Sequence, residues 1–178
     1  MASKRDWLEA GFKVLTESGV PGLTIERLSG DLGLTKGSFY HHFNGMSGYR
    51  ADLLNHFEAQ YTSRYIDGVE RQGGSGSKLN RLLDLVLADE HAGLEIAIRA
   101  WALQDDEVRA VQERVDRLRI AYLRTLAREA GADEADALAR LLYLVLVGAR
   151  QVVPPLPTAD LRDVYELAMR LLPKNATG

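Results

Sequence analysis

The run from Leu23 to Phe43 (Leu-Thr-Ile-Glu-Arg-Leu-Ser-Gly-Asp-Leu-Gly-Leu-Thr-Lys-Gly-Ser-Phe-Tyr-His-His-Phe) holds the residues best suited to recognising a polyanion. Its second half, Thr35 to Phe43, carries Lys36, His41 and His42 and no acid. Thr35, Lys36, Gly37 and Ser38 are small or polar, so a backbone placed there can approach a major groove closely. Lys36 offers a cation to a phosphate or a guanine edge, and Ser38 a hydroxyl to either. Tyr40 and His41 lie one turn further, on a face that reaches the DNA backbone. Adjacent histidines on a helix point about 100° apart and do not converge on one ion, so no metal site is expected at His41 and His42. Phe39 and Phe43, four residues apart, read as core.

Positioning these groups requires a particular series of elements. A first helix is expected over Lys4–Ser18, its stripe formed by Trp7, Leu8, Gly11, Val14 and Leu15. Ser18-Gly19 ends it and Pro21-Gly22 turns the chain. Thr24 suits the N-cap of a second helix, Ile25–Leu32, with Ile25, Leu28 and Leu32 facing inward. Gly33 supplies a left-handed turn residue, Leu34 a core plug, and Thr35 the cap of a third helix, Lys36–Phe43. Helix, glycine turn and helix at this spacing form a helix-turn-helix, which places its second helix in the DNA major groove.

The remainder is helical by periodicity. A long helix is expected from near Ser47 to about Gln72, with the stripe Leu53, Leu54, Phe57, Tyr61, Tyr65 and Val69. The flexible stretch Gly73-Gly74-Ser75-Gly76-Ser77 follows it. Further helices are expected at 78–90, 92–103, 105–130, 134–153 and 158–172, with breaks at Asp89-Glu90-His91, Gln104-Asp105-Asp106, Gly131-Ala132-Asp133 and Pro154-Pro155-Leu156-Pro157. Helix 105–130 is amphipathic, with Val108, Val111, Val115, Leu118, Tyr122 and Leu126 on one face. Helix 134–153 is apolar nearly all round and must be covered on every side. With the last helix it forms a natural dimer surface, expected to use Leu138, Leu142, Val145, Ala149, Val164, Ala168 and Leu171. The expected architecture is all-α: a three-helix DNA-binding domain at 1–46 and a larger helical regulatory and dimerisation domain at 47–178.

Composition agrees with that architecture and excludes other classes. The 178 residues are 46% hydrophobic and 26% charged, as in ordinary globular proteins. Cysteine is absent, so disulfides and thiolate metal sites are excluded. Neither a secretory leader nor a membrane-length apolar run is read, and a cytoplasmic location is expected. Net charge is −3, yet residues 1–50 hold six Lys/Arg against five Asp/Glu, while 51–178 hold 16 against 20. A small positive face on an acidic body suits a protein that touches phosphate in one place. No glycine-rich phosphate loop, His-Glu-x-x-His pair or nucleophile elbow occurs, which argues against an enzyme and against a bound cofactor.

The segment Gly33, Lys36, Gly37, Tyr40, His41, His42 and Phe43 resembles the TetR/AcrR family of transcriptional regulators, whose typical form is Gly-Val-Ser-Lys-Gly-Thr-Leu-Tyr-His-His-Phe. The resemblance is close over 23–43 and extends beyond it only in helix layout and in Arg99-Ala100-Trp101. It implies a homodimeric regulator, most often a repressor, that reads a near-palindromic operator and is released by a small molecule bound among helices four to eight. It also implies phosphate contacts for Lys36 and Tyr40. The DNA-facing set is then Thr24, Thr35, Lys36, Gly37, Ser38, Tyr40, His41 and Ser47. Where relatives carry a lysine at the start of helix four, this chain reads Met46-Ser47-Gly48. The amides of Ser47, Gly48 and Tyr49, with Arg50 supplying charge, are the replacement grip.

For the effector, Trp101, Tyr122 and Tyr143 are candidate pocket walls and Arg99 or Gln104 a polar anchor. The same residues also read as core and surface ion pairs, Arg99 with Glu95 or with Asp105/Asp106. His91 reads as a solvated or capping junction residue, and Arg150 either pairs across a dimer or binds a ligand acid. A regulator that senses no small molecule, its dimer serving as a DNA clamp or protein platform, is the alternative reading.

Overall fold

Ser3 opens the first helix by a reciprocal cap: its hydroxyl accepts from the Asp6 N–H at 3.3 Å, and Asp6 Oδ2 accepts from the Ser3 N–H at 2.7 Å. The computed structural model describes residues 2–71, 78–89 and 91–170. In chain order the helices are α1 (Lys4–Ser18), α2 (Ile25–Leu32), α3 (Lys36–His42), α4 (Gly45–Glu58), α5 (Arg64–Arg71), α6 (Lys78–Leu87), α7 (Ala92–Ala102), α8 (Asp106–Glu129), α9 (Ala135–Gln151) and α10 (Thr158–Met169). A short 3-10 turn, Val20–Gly22, follows α1, and a π-helical turn, Ala59–Ser63, joins α4 to α5. Among the described residues there is no strand, and the all-α expectation holds.

α1 and α2 have the expected bounds because their ends are encoded locally. Gly33 closes α2 at φ 65°, ψ 32°, a left-handed conformation that costs a residue with a Cβ roughly 1 kcal/mol or more. Other elements differ from expectation. α4 begins at Gly45 rather than near Ser47, and the expected long helix is interrupted by the π turn. The Gly73–Ser77 stretch and the far end of the last helix, including Leu171, lie outside the described residues.

Packing divides the chain into two units: Met1–Tyr61 with His91–Glu113, and Thr62–Glu90 with Arg114–Gly178. The 1–46 segment thus folds within a unit that also includes α4 and α7, and α1 packs on α2, α4 and α7. The second unit packs α9 on α10, α5 on α6 and α6 on α10. Its core includes Leu79, Leu126, Leu138, Leu142, Leu161 and Tyr165.

Buried phenols give the fold a signature in alkali. Burial holds the Tyr49 hydroxyl well above its ordinary value in the first unit, and the Tyr165 hydroxyl likewise in the second. Tyr65 is pushed up to about 12, by burial first and then by the nearby Asp89 carboxylate. A raised phenol value means that the unfolded chain releases its proton first. The stability is therefore complete below about pH 10 and is lost as pH rises toward the folded values. The thermal midpoint is expected to fall steeply above about pH 10, with phenolate absorbance appearing together with loss of helix. A midpoint flat through that range would contradict this.

Candidate nucleic-acid interface

α3 is held from beneath by an aromatic frame. Phe39, fully buried, meets Trp7 edge-on at 5.5 Å between ring centroids, Tyr49 at 5.4 Å and Phe43 at 5.1 Å. Tyr49 donates its hydroxyl to the Trp7 carbonyl at 2.8 Å. That approach requires a glycine on α1, because a Cβ at Gly11 would stand 2.0 Å from the Tyr49 hydroxyl. At the far end of α3, His42 Nε2 is hydrogen-bonded to the Ala2 carbonyl at 3.0 Å. Such a frame fixes the helix without using its outward face.

The outward face carries the expected polar set. Thr35, Lys36, Gly37, Tyr40 and His41 are exposed and Ser38 is half-buried. Tyr40 is 60% exposed, so its ring and hydroxyl are open to a partner. Thr24 and Ser47 are exposed as well. The Thr24 hydroxyl accepts from the Arg27 N–H at 3.2 Å, so this threonine also caps α2. Thr35 stands at the N-cap of α3 but makes no side-chain capping hydrogen bond.

Gly37 is the most telling member of the set. A Cβ built there meets nothing closer than the Thr35 hydroxyl at 3.7 Å, so the fold does not demand a glycine. A helical glycine unexplained by its own protein suits a backbone that something external must approach. Gly37→Ala is expected to raise stability by about 0.5 kcal/mol while lowering operator affinity about ten-fold. Paired melting curves and DNA titrations check this, and unchanged affinity would place the close approach elsewhere.

Several expected roles are corrected. Leu28 and Phe43 are buried as expected, whereas Ile25, Leu32 and Leu34 are only half-buried. Arg50 does not extend toward a phosphate; its guanidinium lies over the Trp101 ring at 5.7 Å. An arginine on the inward side of α4 packs on the nearest aromatic face, since cation–π stacking offsets part of its desolvation. Because α4 begins at Gly45, its unpaired first-turn amides lie at 45–48 rather than 47–49.

Sequence reasoning missed the charge arrangement. Lys36 Nζ donates to Glu26 Oε1, an ion pair ten residues apart across the turn. Arg27 is paired with Asp31 at 2.9 Å and with Glu17 at 3.3 Å. Spacings of three or four residues signal pairs on one helix, and the 26/36 spacing has no such signal.

The candidate ligand residues belong to both units. Arg99, Trp101 and Gln104 belong to the first unit, and Tyr122 and Tyr143 to the second. Arg99 pairs with Glu95 at 3.0 Å, Trp101 is 4% exposed, and Gln104 is on the surface. Tyr122 donates to Glu70 at 2.8 Å and Tyr143 to Asp116 at 2.6 Å. A cavity of about 210 Å³ in the second unit is lined by Lys78, Leu79, Leu126, Glu129 and Ala130, none of the five. Arg150 pairs with Asp89 at 3.2 Å within its own unit.

The expected dimer residues divide sharply. Leu138, Leu142, Ala149 and Ala168 are buried within the protomer, and Val145 is half-buried. The four buried ones face the core of their own protomer, where α9 packs on α10. Of the described members of the set Val164 is exposed, and with it stand Leu141, Leu144 and Val152 on α9 and its end, and Leu167 on α10.

Comparison with known proteins follows the same lines. Residues 8–48 match the sequence model of the tetR family of bacterial regulatory proteins. No curated protein sequence matches the chain. Among solved structures, a transcriptional regulator of the TetR/AcrR family superposes with a TM-score of 0.80 at 21% identity, over 93% of this chain and 97% of that one. NemR of E. coli, in its reduced form, superposes with a TM-score of 0.80 at 20% identity, over 97% and 99%. The multidrug binding protein EbrR, complexed with malachite green, superposes with a TM-score of 0.66 at 19% identity, over 98% and 100%. Residues 8–48 thus match the tetR-family model, and the chain as a whole shares the fold of solved TetR/AcrR transcriptional regulators.

Proposed function

We propose that the chain is a homodimeric repressor that reads a near-palindromic operator through α3. The observation that carries this reading is the solvent-facing row Thr35, Lys36, Gly37, Tyr40 and His41 on a helix anchored from beneath by Phe39. Ser38 and Thr24 flank the row, and Ser47 with the first-turn amides of α4 reaches the adjacent phosphates. Functionally the chain divides into a DNA-binding part, 1–46, and a regulatory and dimerisation part, 47–178.

Two recognition helices in successive major grooves need half-sites about 34–36 Å apart, which a two-fold dimer supplies. The α9 and α10 face of Leu141, Leu144, Val152, Val164 and Leu167 supports such a dimer. Gly148 lies on the same side of α9 as Leu141 and Leu144, and a Cβ there would meet nothing. A helical glycine in an apolar face lets a second backbone approach closely.

Release by a small-molecule ligand is supported by the fold shared with EbrR, which is complexed with malachite green. Arg99, Trp101, Gln104, Tyr122 and Tyr143 remain the candidate contacts. The internal partners of Arg99, Tyr122 and Tyr143 favour the alternative, a DNA clamp that senses no ligand. Without cysteine, the chain carries no thiol switch.

The test is selection of bound sequences from a random duplex library, followed by titration of the enriched duplex with and without malachite green. Enrichment of an inverted repeat whose half-sites lie on one side of the helix supports the reading. Enrichment of nothing would overturn it, and a repeat that binds equally with the dye present would support the clamp.

A further inference from the structure

The DNA-facing lysine is already occupied. Lys36 Nζ, on the first residue of α3, donates to Glu26 Oε1 in the first turn of α2. Both side chains are largely in solvent, 59% and 67% exposed, so the pair adds little to folding. Glu26 favours the α2 N-terminus, and its carboxyl is held below the ordinary range chiefly by the Lys36 hydrogen bond, so it is anionic wherever DNA binding is measured. The other cation of this segment, Arg27, is neutralised by Asp31 and Glu17, and Arg50 is turned onto Trp101. The module therefore meets DNA with its cations already paired.

This arrangement has different consequences on different DNA. Sequence-independent association depends on exchanging counterions for protein cations at phosphates. A phosphate is an anion and competes with Glu26 for the Lys36 ammonium. If Lys36 moves to the phosphate, the Glu26 carboxylate is left unpaired beside the polyanion. A guanine edge is a neutral acceptor, and an ammonium has three donors. There Lys36 can bridge Glu26 and the base together, and the carboxylate stays paired.

Resting on the α3 reading above, we propose that Glu26 is a specificity-determining residue that competes with phosphate for Lys36 and so suppresses binding to non-operator DNA.

The test uses the full chain, the duplex enriched from the random library and a random-sequence duplex of equal length, titrated over a salt series. Glu26→Gln is expected to raise affinity for random duplex about five-fold and to steepen the salt slope by about one per protomer. Operator affinity is expected to change less, so the ratio of operator to random affinity falls. In the Lys36→Ala background, Glu26→Gln is expected to have little effect on random duplex. A Glu26→Gln protein that melts as the parent does and binds random duplex no better overturns the proposal, as does an equal gain with and without Lys36. If Lys36→Ala binds operator as the parent does, the α3 reading itself fails. If Lys36→Ala weakens operator binding while Glu26→Gln changes nothing, the competition alone is refuted. Should Glu26→Gln fold poorly, Glu26→Asp, which keeps the charge, is expected to bind random duplex like the parent, and a five-fold gain there would also overturn it.

Discussion

Replacing Lys36 and Tyr40 together by alanine is expected to lower operator affinity at least about a hundred-fold at moderate salt, with the unfolding midpoint nearly unchanged. The magnitude follows from the contact types. A lysine on a phosphate or guanine and a phenol on the backbone are each worth about 1 kcal/mol or more, and a dimer loses each twice. A total near 4 kcal/mol is about three orders of magnitude in the dissociation constant, so a hundred-fold loss is a floor. Stability is spared because Tyr40 is 60% exposed and the Lys36–Glu26 pair is at the surface. Titration by fluorescence anisotropy at several salt concentrations, alongside thermal melts, measures both quantities. Operator affinity equal to the parent's would remove α3 from the DNA.

The second large effect concerns the outer face of α9 and α10. Leu144→Glu combined with Leu167→Glu is expected to give folded monomers that bind operator at least about a hundred-fold more weakly. Both leucines are exposed in the protomer, at 66% and 62%, so their replacement leaves each unit's core intact. In a dimer, each would bring a carboxylate into an apolar interface on both sides, at several kcal/mol for unpaired charges. Leu142→Glu makes the contrast. Leu142 is 1% exposed, so a charge there is expected to unfold the second unit, and even Leu142→Ala is expected to cost about 2–5 kcal/mol. Sedimentation with circular dichroism separates the outcomes. A double variant that sediments as a dimer would move the interface to another surface.

The contrast between Leu144 and Leu142 shows how far sequence reading reaches. α9 is apolar over Leu141 to Val147, and the sequence announces only that this helix needs cover. Which side is covered by α10 and which is left open depends on the helix crossing, and no local pattern states it. The same holds for the five candidate ligand residues. Aromatic and arginine types in apolar helices suit pocket walls and core equally, and only the folded chain separates Trp101 from Tyr143 into different units. The Gly45 start of α4 was hidden because glycine at a helix start is indistinguishable by type from glycine in a turn.

What the sequence alone determined is the helix-turn-helix: Thr24 capping α2, Gly33 turning left-handed, Thr35 preceding α3, and an acid-free row from Thr35 to His41. Caps and turns satisfy backbone amides and φ requirements within three or four residues, so their chemistry is written where it acts. Only the tertiary structure decided that Lys36 rests on Glu26, that Arg50 lies on Trp101, and that α9 turns Leu142 inward and Leu144 outward. Those outcomes depend on partners far away in sequence, brought together when separate helices bury their apolar faces.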